Sequence, residues 1–137
     1  MKNPQCWSVL ASRYRNPLLI CSIDVYSHLT TEWHKLESVI IDTGYDGDLL
    51  LASDKYMELG FNQFELPSSS FDIAESIDKS DIVLRASISK AQWGEGRYEI
   101  KIESIPENQE TILGRGLFLK TTNCFYNEKQ EFCLLND

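Results

Sequence analysis

Positive charge is in short supply: 13 lysines and arginines face 21 acids, and the 137-residue chain carries a net charge of -8. A surface of that sign repels phosphate backbones and anionic headgroups, so neither nucleic acid nor a membrane surface is expected as a partner. Long apolar runs are missing too. None approaches the roughly 20 residues that cross a bilayer, and Met1-Lys2-Asn3-Pro4-Gln5-Cys6-Trp7 lacks the apolar core of a signal peptide. A cytoplasmic protein is therefore expected. The four cysteines, Cys6, Cys21, Cys124 and Cys133, show no C-x-x-C spacing. In a reducing compartment they are expected to be free, small apolar residues. Repeats and low-complexity tracts are absent. What remains is a single domain, 1–137, large enough to bury a core without staples.

Several familiar chemistries are absent as well. His28, His34 and Cys21 have a spacing that fits no closed zinc site, which leaves the histidines as solvated loop residues. Trp93-Gly94-Glu95-Gly96 contains Gly-x-Gly but no third glycine and no strand-to-helix turn, so it is a hairpin and not a nucleotide cradle. Ser68 to Ser70 have no histidine partner in a recognisable motif, which makes a serine hydrolase remote. The acids between Glu99 and Glu110 lack the Asp-x-Asp-x-Asp-Gly pattern of a calcium loop and are expected on a solvated face.

Short strands are plentiful. Leu18 to Tyr26 begins as an apolar run and turns to alternation, His28 to Trp33 makes a turn, and Leu36 to Ile41 returns as a second strand. Leu49-Leu50-Leu51 is a short buried strand. Ser53 to Gly60 has an N-cap serine, an acid in its first turn and a terminal glycine, which marks a two-turn helix with Tyr56 and Leu59 inward. After the polar break Pro67-Ser68-Ser69-Ser70, strands over Phe71 to Ala74 and Asp81 to Ser89 flank an exposed hairpin tip at Glu75 to Ser80. Tyr98 to Glu103 alternates, and Cys124 to Tyr126 with Glu131 to Leu135 form a closing pair. Many strands, two short helices and no strand-helix-strand rhythm predict a mainly β domain, a small closed or partly open barrel.

Into this pattern the chain sets Ile40-Ile41-Asp42-Thr43-Gly44, a carboxylate at the end of an apolar strand. A charge beside a buried strand is costly unless something hydrogen-bonds it or shares its proton. Gly44 lets the backbone approach the carboxylate closely, and Thr43 offers a hydroxyl. The same three residues also suit a carboxylate that merely caps a turn. A second signal, Thr111-Ile112-Leu113-Gly114-Arg115-Gly116-Leu117-Phe118, is an apolar strand that ends in glycine and runs into a short amphipathic helix.

Together with Tyr45-Asp46-Gly47, these two motifs resemble the retropepsin-like aspartic proteases, the family of the retroviral proteases and their single-domain bacterial and archaeal relatives. The resemblance covers about Leu18 to Leu135 and leaves residues 1–16 as an extension without an assigned role. It implies an acid-protease barrel and catalysis by Asp42, Thr43 and Gly44, with Thr43 bonded to the opposite loop and the Gly44 carbonyl meeting substrate backbone. Substrate contact falls to Tyr45 and Asp46 and to a flap carrying Ala74, Glu75, Ser76 and Ile77. Ile112, Leu113, Gly114 and Arg115 support the loop. Asp46 and Arg115 stand where retroviral members form an ion pair; two unrelated surface charges are the alternative. Tyr45 either narrows the groove or packs. The flap departs from the family, since Ala74-Glu75-Ser76 replaces a glycine-bearing tip and a tip without glycine is stiffer.

Hydrolysis of a peptide by carboxylates needs two of them close together, and one chain offers one Asp-Thr-Gly. A homodimer with a two-fold axis between identical loops is the expected solution. No cofactor and no metal is called for. The substrate is a peptide or unfolded protein, with a catalytically inactive dimerisation or peptide-binding module as the alternative. Phe132-Cys133-Leu134-Leu135 is expected to pair across the axis, because an apolar edge strand left open is hazardous.

Overall fold

Alternation drives the first hairpin. The computed structural model describes residues 5–10, 18–67, 73–75, 81–126 and 131–135. In β2 (Leu18–Ser27) every second residue, Cys21, Ile23, Val25 and Ser27, is buried. β3 (Glu32–Ile41) pairs antiparallel with it and begins four residues before the expected Leu36, because Tyr26↔Trp33 and Ser27↔Glu32 extend the ladder to the turn. The register shifts between Cys21↔Val39 and Ile23↔Leu36, so Glu37 and Ser38 oppose Ser22 alone. Ser38 takes φ 58°, the left-handed region, to make this bulge. The bulge resets the inward face of β3 to Leu36, Val39 and Ile41 and aims its end at the Asp42 loop.

Six strands close on themselves. β2 and β3 are followed by β4 (Leu49–Leu50), β7 (Arg85–Trp93), β8 (Gly96–Ser104) and β9 (Ile112–Leu113). The order β2-β3-β9-β4-β8-β7 returns to β2 through Asp24↔Gln92 and Val25↔Ala91. Two contacts in this circuit are parallel, β3 with β9 and β4 with β8, while β4 and β9 are antiparallel. Two chain segments therefore cross at the centre, one ending at Ile41 and one at Leu113. The core inside holds Val25, Val39, Leu49, Leu51, Trp93, Ile100, Ile102, Leu113 and Leu117. The expected turn at Trp93 to Gly96 is present, with Gly94 at φ 63°, where a side chain is disfavoured.

Helix α1 (Ser53–Glu58) buries Tyr56, and Leu59 beyond it, as expected, and runs into a 3-10 turn, Phe61–Gln63. The N-cap is Ala52 and not Ser53: the Ser53 N–H is bonded to Asn108 O at 2.8 Å, and the first helical bond runs from Tyr56 N to Ala52 O. Gly60, at φ 76°, ends the helix. The strands β5 (Ile73–Glu75) and β6 (Asp81–Val83) form a separate two-stranded hairpin. Ser68 to Ser70, Phe71, Ser76 and Ile77 lie outside the described residues. Helix α2 (Arg115–Phe118) follows β9 directly, as the second motif predicts.

The chain ends make a sheet of their own. β1 (Gln5–Leu10), drawn from the extension without an assigned role, lies beside β11 (Glu131–Leu134), which lies beside β10 (Asn123–Tyr126). Beneath them Trp7, Trp93, Phe132 and Phe118 stack with centroids 5.7 to 6.2 Å apart. Two expectations are corrected here. Both edges of β11 are occupied within the chain, so Phe132 to Leu134 do not form the open edge that was expected to pair across an axis. The cysteines are not all free either: Cys6 and Cys133 are directly opposed and form a disulfide. Their separation of 127 residues leaves no local spacing to read. Among the described residues no helix is long and apolar enough to cross a membrane.

Candidate active site

Asp42 is the first residue beyond β3, and its main chain is fixed before its side chain is considered. Its N–H donates to Leu113 O at 2.9 Å, and two residues earlier Ile40 N donates to Thr111 O at 2.9 Å. The loop that follows is tied to the second motif at three more points: Gly114 N to Asp48 O at 3.0 Å, Arg115 N to Tyr45 O at 2.7 Å, and Gly116 N to Gly47 O at 3.1 Å. Two of the glycines at these crossings are there for space. A Cβ on Gly114 would lie 2.2 Å from Gly47 O and 2.6 Å from Tyr45 O, and one on Gly116 would lie 2.5 Å from Asp48 Oδ1. The two motifs are thus one unit.

The carboxylate of Asp42 is exposed, and Oδ1 accepts the Gly44 N–H at 2.9 Å. A Cβ at Gly44 would stand 3.1 Å from that oxygen, so glycine keeps the approach open. This bond is the turn-capping contact that the sequence left as an alternative. It occupies one oxygen and leaves the group facing outward with Thr43, which is also exposed. A concave surface of 430 Å³, walled by Tyr26, Trp33, Lys90, Arg97, Tyr98 and Glu99, lies away from this loop.

Tyr45 turns under the loop. Its hydroxyl donates to Glu103 Oε1 at 2.5 Å, and its ring fills the space over Gly47 and Gly114. Packing is the role this geometry favours. Glu103 corrects the expectation of a solvated acidic face: it is 3 % exposed, and among the described residues its Oε2 has no hydrogen-bond partner, with Lys101 Nζ 4.0 Å away. The alternation of β8 breaks there because β4 flanks the strand at Leu50↔Glu103 and the Asp42 loop covers its outer face. Asp46 forms its ion pair with Arg115, and both side chains stay largely in solvent. Asp48 accepts the Lys101 N–H at 3.0 Å, with Lys120 Nζ 3.8 Å away.

The strands on either side of the expected flap tip are paired. Ile73↔Val83, Ala74↔Ile82 and Glu75↔Asp81 pair in register, and the tip with Ser76 and Ile77 lies outside the described residues. Sequence reasoning missed what anchors its base. Arg85 grips Glu65 through three bonds, Nε to Oε2 at 2.9 Å and to Oε1 at 3.2 Å and Nη2 to Oε1 at 2.5 Å, and Tyr56 donates to Glu65 Oε2 at 3.0 Å. The fork joins the residues on either side of the hairpin. Burial, and then the Glu65 charge and hydrogen bond, push the Tyr56 phenol well above its ordinary range. Glu65, bonded through Nε and Nη2, likewise holds the Arg85 guanidinium above its own. Twenty residues separate Arg85 from Glu65, and no local pattern signals the contact.

One group of described residues has metal-ligand proximity: Cys6, Cys133 and Glu131, with ligand atoms within 4.8 Å of one another. Both sulfurs are spent on the disulfide.

No family model and no curated protein matches the sequence. In three dimensions the chain is similar to the crystal structure of a retropepsin-like aspartic protease from Rickettsia conorii, with a TM-score of 0.53 and 15% identity over 98% of this chain and 94% of that one. Identity at this level speaks for architecture, and the architecture agrees with the crossing of two motifs inside a six-stranded barrel. The fold of this chain is that of the retropepsin-like aspartic proteases.

Proposed function

We propose that the chain is an aspartic endopeptidase that works as a homodimer. The observation that carries this reading is the outward-facing Asp42 carboxylate, mounted on a loop that five main-chain bonds from the second motif hold in place. A two-fold axis beside this loop would bring Asp42 against the partner subunit's Asp42. One carboxylate, ionised, takes a proton from water; the other, protonated, polarises the scissile carbonyl. The two titrate as a pair, so the apparent pKa values belong to the dyad, and activity is strongest at acid to mildly acid pH. An extended peptide lies between the loop and the β5–β6 hairpin as an added strand. Cytoplasmic location belongs to the same proposal.

The test is hydrolysis of a denatured protein and a peptide library from pH 3 to 7, with Asp42→Asn as control and sedimentation run alongside. Cleavage by the wild type alone, in fractions that sediment as dimers, supports the reading. A dimer that binds peptide without cleaving it defeats the enzyme and leaves a binding module.

A further inference from the structure

Three of the four cysteines stand in one row. Cys6 on β1 is opposite Cys133 on β11, and Cys133 is opposite Cys124 on β10. Side chains of directly opposed residues share a face, so all three sulfurs lie on the face of the chain-end sheet turned away from Trp7 and Phe132. Cys6 and Cys133 are bonded, with Cα atoms 4.1 Å apart, the spacing of a pair that exchanges no main-chain hydrogen bonds. The main-chain groups of Cys133 therefore point to β10, and its pair with Cys124 is of the hydrogen-bonded kind, about 5.5 Å between Cα atoms. That also lies within the span of a disulfide.

We propose that this row is a thiol–disulfide exchange site in which the bond moves between Cys6–Cys133 and Cys124–Cys133. Cys124, which lies outside the disulfide and is partly exposed, loses its proton to solvent and attacks Cys133 Sγ. The Cys124–Cys133 bond forms, the Cys133–Cys6 bond breaks, and the electron pair leaves on Cys6 Sγ, which takes a proton from solvent. Nothing is oxidised or reduced overall. The register puts Cys124 on the side of Cys133 away from Cys6, the side from which a thiolate displaces the Cys6 sulfur. Burial selects the attacker: Cys133 is 1 % exposed, whereas Cys6 is exposed, so an external thiol meets Cys6 and the internal one meets Cys133.

The consequence falls on β1. In the first state the disulfide ties the two chain ends together. In the second, β1 keeps four register pairs with β11 and two with β2 but no covalent link. In a reducing compartment the tie is thus reversible by rearrangement as well as by reduction. This inference does not depend on the proteolytic reading. Cys21 takes no part: it is buried in the core, and burial, partly offset by the Trp93 indole, pushes its thiol up to about 12.

The experiment alkylates native full-length protein with N-ethylmaleimide at pH 8, without reductant, and maps labels and disulfides by mass spectrometry of non-reducing digests. Wild type is expected to yield molecules labelled on Cys6 that contain a Cys124–Cys133 link. Cys124→Ser should lower Cys6 labelling about tenfold or more, because a neighbouring thiol acts at an effective concentration far above that of a second molecule. Unlabelled Cys21 reports that the fold is intact. Oxidised glutathione added to Cys6→Ser should close Cys124–Cys133. The proposal is overturned if Cys6 stays unlabelled in the wild type, or if it labels equally fast in Cys124→Ser.

Discussion

Replacing Tyr45 by phenylalanine removes one oxygen and leaves the ring that fills the space beneath the Asp42 loop. The hydroxyl it removes is the donor to Glu103 Oε1, and Oε2 of the same buried side chain has no hydrogen-bond partner among the described residues, Lys101 Nζ being 4.0 Å away. A buried polar group deprived of its partner costs about 1–3 kcal/mol. For 137 residues, an unfolding entropy of about 2.1 cal/mol/K per residue makes each kcal/mol worth about 3.5 °C, so the midpoint should fall by roughly 3–10 °C. Differential scanning calorimetry at fixed pH and protein concentration measures it. The diagnostic variant is the double one, Tyr45→Phe with Glu103→Met, which removes both polar partners and should recover most of the loss, since two matched apolar groups leave nothing unsatisfied. A single variant that melts with the wild type, or a double variant no more stable than Tyr45→Phe, would refute the view that buried Glu103 depends on the Tyr45 hydroxyl as its hydrogen-bond donor.

Three further outcomes follow from the same contacts. Gly114→Ala forces a Cβ into the Gly47 and Tyr45 carbonyls; overpacking of this kind costs about 1–3 kcal/mol, so thermal melting should show destabilisation together with loss of any peptidase activity, and an active variant with an unchanged midpoint would contradict the steric account. Arg115→Ala removes an ion pair whose members are 52% and 80% exposed, and urea titration should find a change of no more than about 1 kcal/mol; a larger effect would make the pair, not the main chain, the lock on the loop. Cys21 binds its proton more tightly folded than unfolded, since its thiol titrates near 12 in the fold against an ordinary 9.0. The unfolded chain therefore holds fewer protons above pH 9, and this group makes stability fall with rising pH by up to about 1.4 kcal/mol per unit between pH 9 and 11; Cys21→Ala should flatten that limb in denaturant titrations, and an unaltered slope would count against it.

What could be read from the amino-acid order was local or motif-borne. The β2–β3 hairpin, the Trp93 to Gly96 turn and the helix after Gly114 announce themselves through alternation and glycine placement, and the Asp46–Arg115 contact came with the two motifs. Non-local facts stayed hidden. Nothing near Glu103 says that the Asp42 loop, some sixty positions earlier, will cover it, and a glutamate in an alternating strand is ordinarily a surface residue. Cys6 and Cys133 have no shared spacing because the chain between them builds the whole barrel before they meet. Ser53 looks like a cap by composition, yet its N–H was claimed by Asn108 O, a partner that only the fold supplies.

The way the loop is held bears on the proposed homodimer. The main chain of the Asp42 loop is bonded to β9 and the start of α2 at Asp42, Tyr45, Gly47 and Asp48, and within itself from Tyr45 N to Asp42 O. On the proposed dimer reading, a half-site built this way is ordered by its own subunit, and the cost of association that remains is the rigid-body entropy of joining two subunits. The chain-end sheet stands in contrast. Its middle strand is closed on both sides from within, and its outer face carries a disulfide beside a third cysteine. The proposed exchange site is therefore separate from the loop that carries the carboxylate.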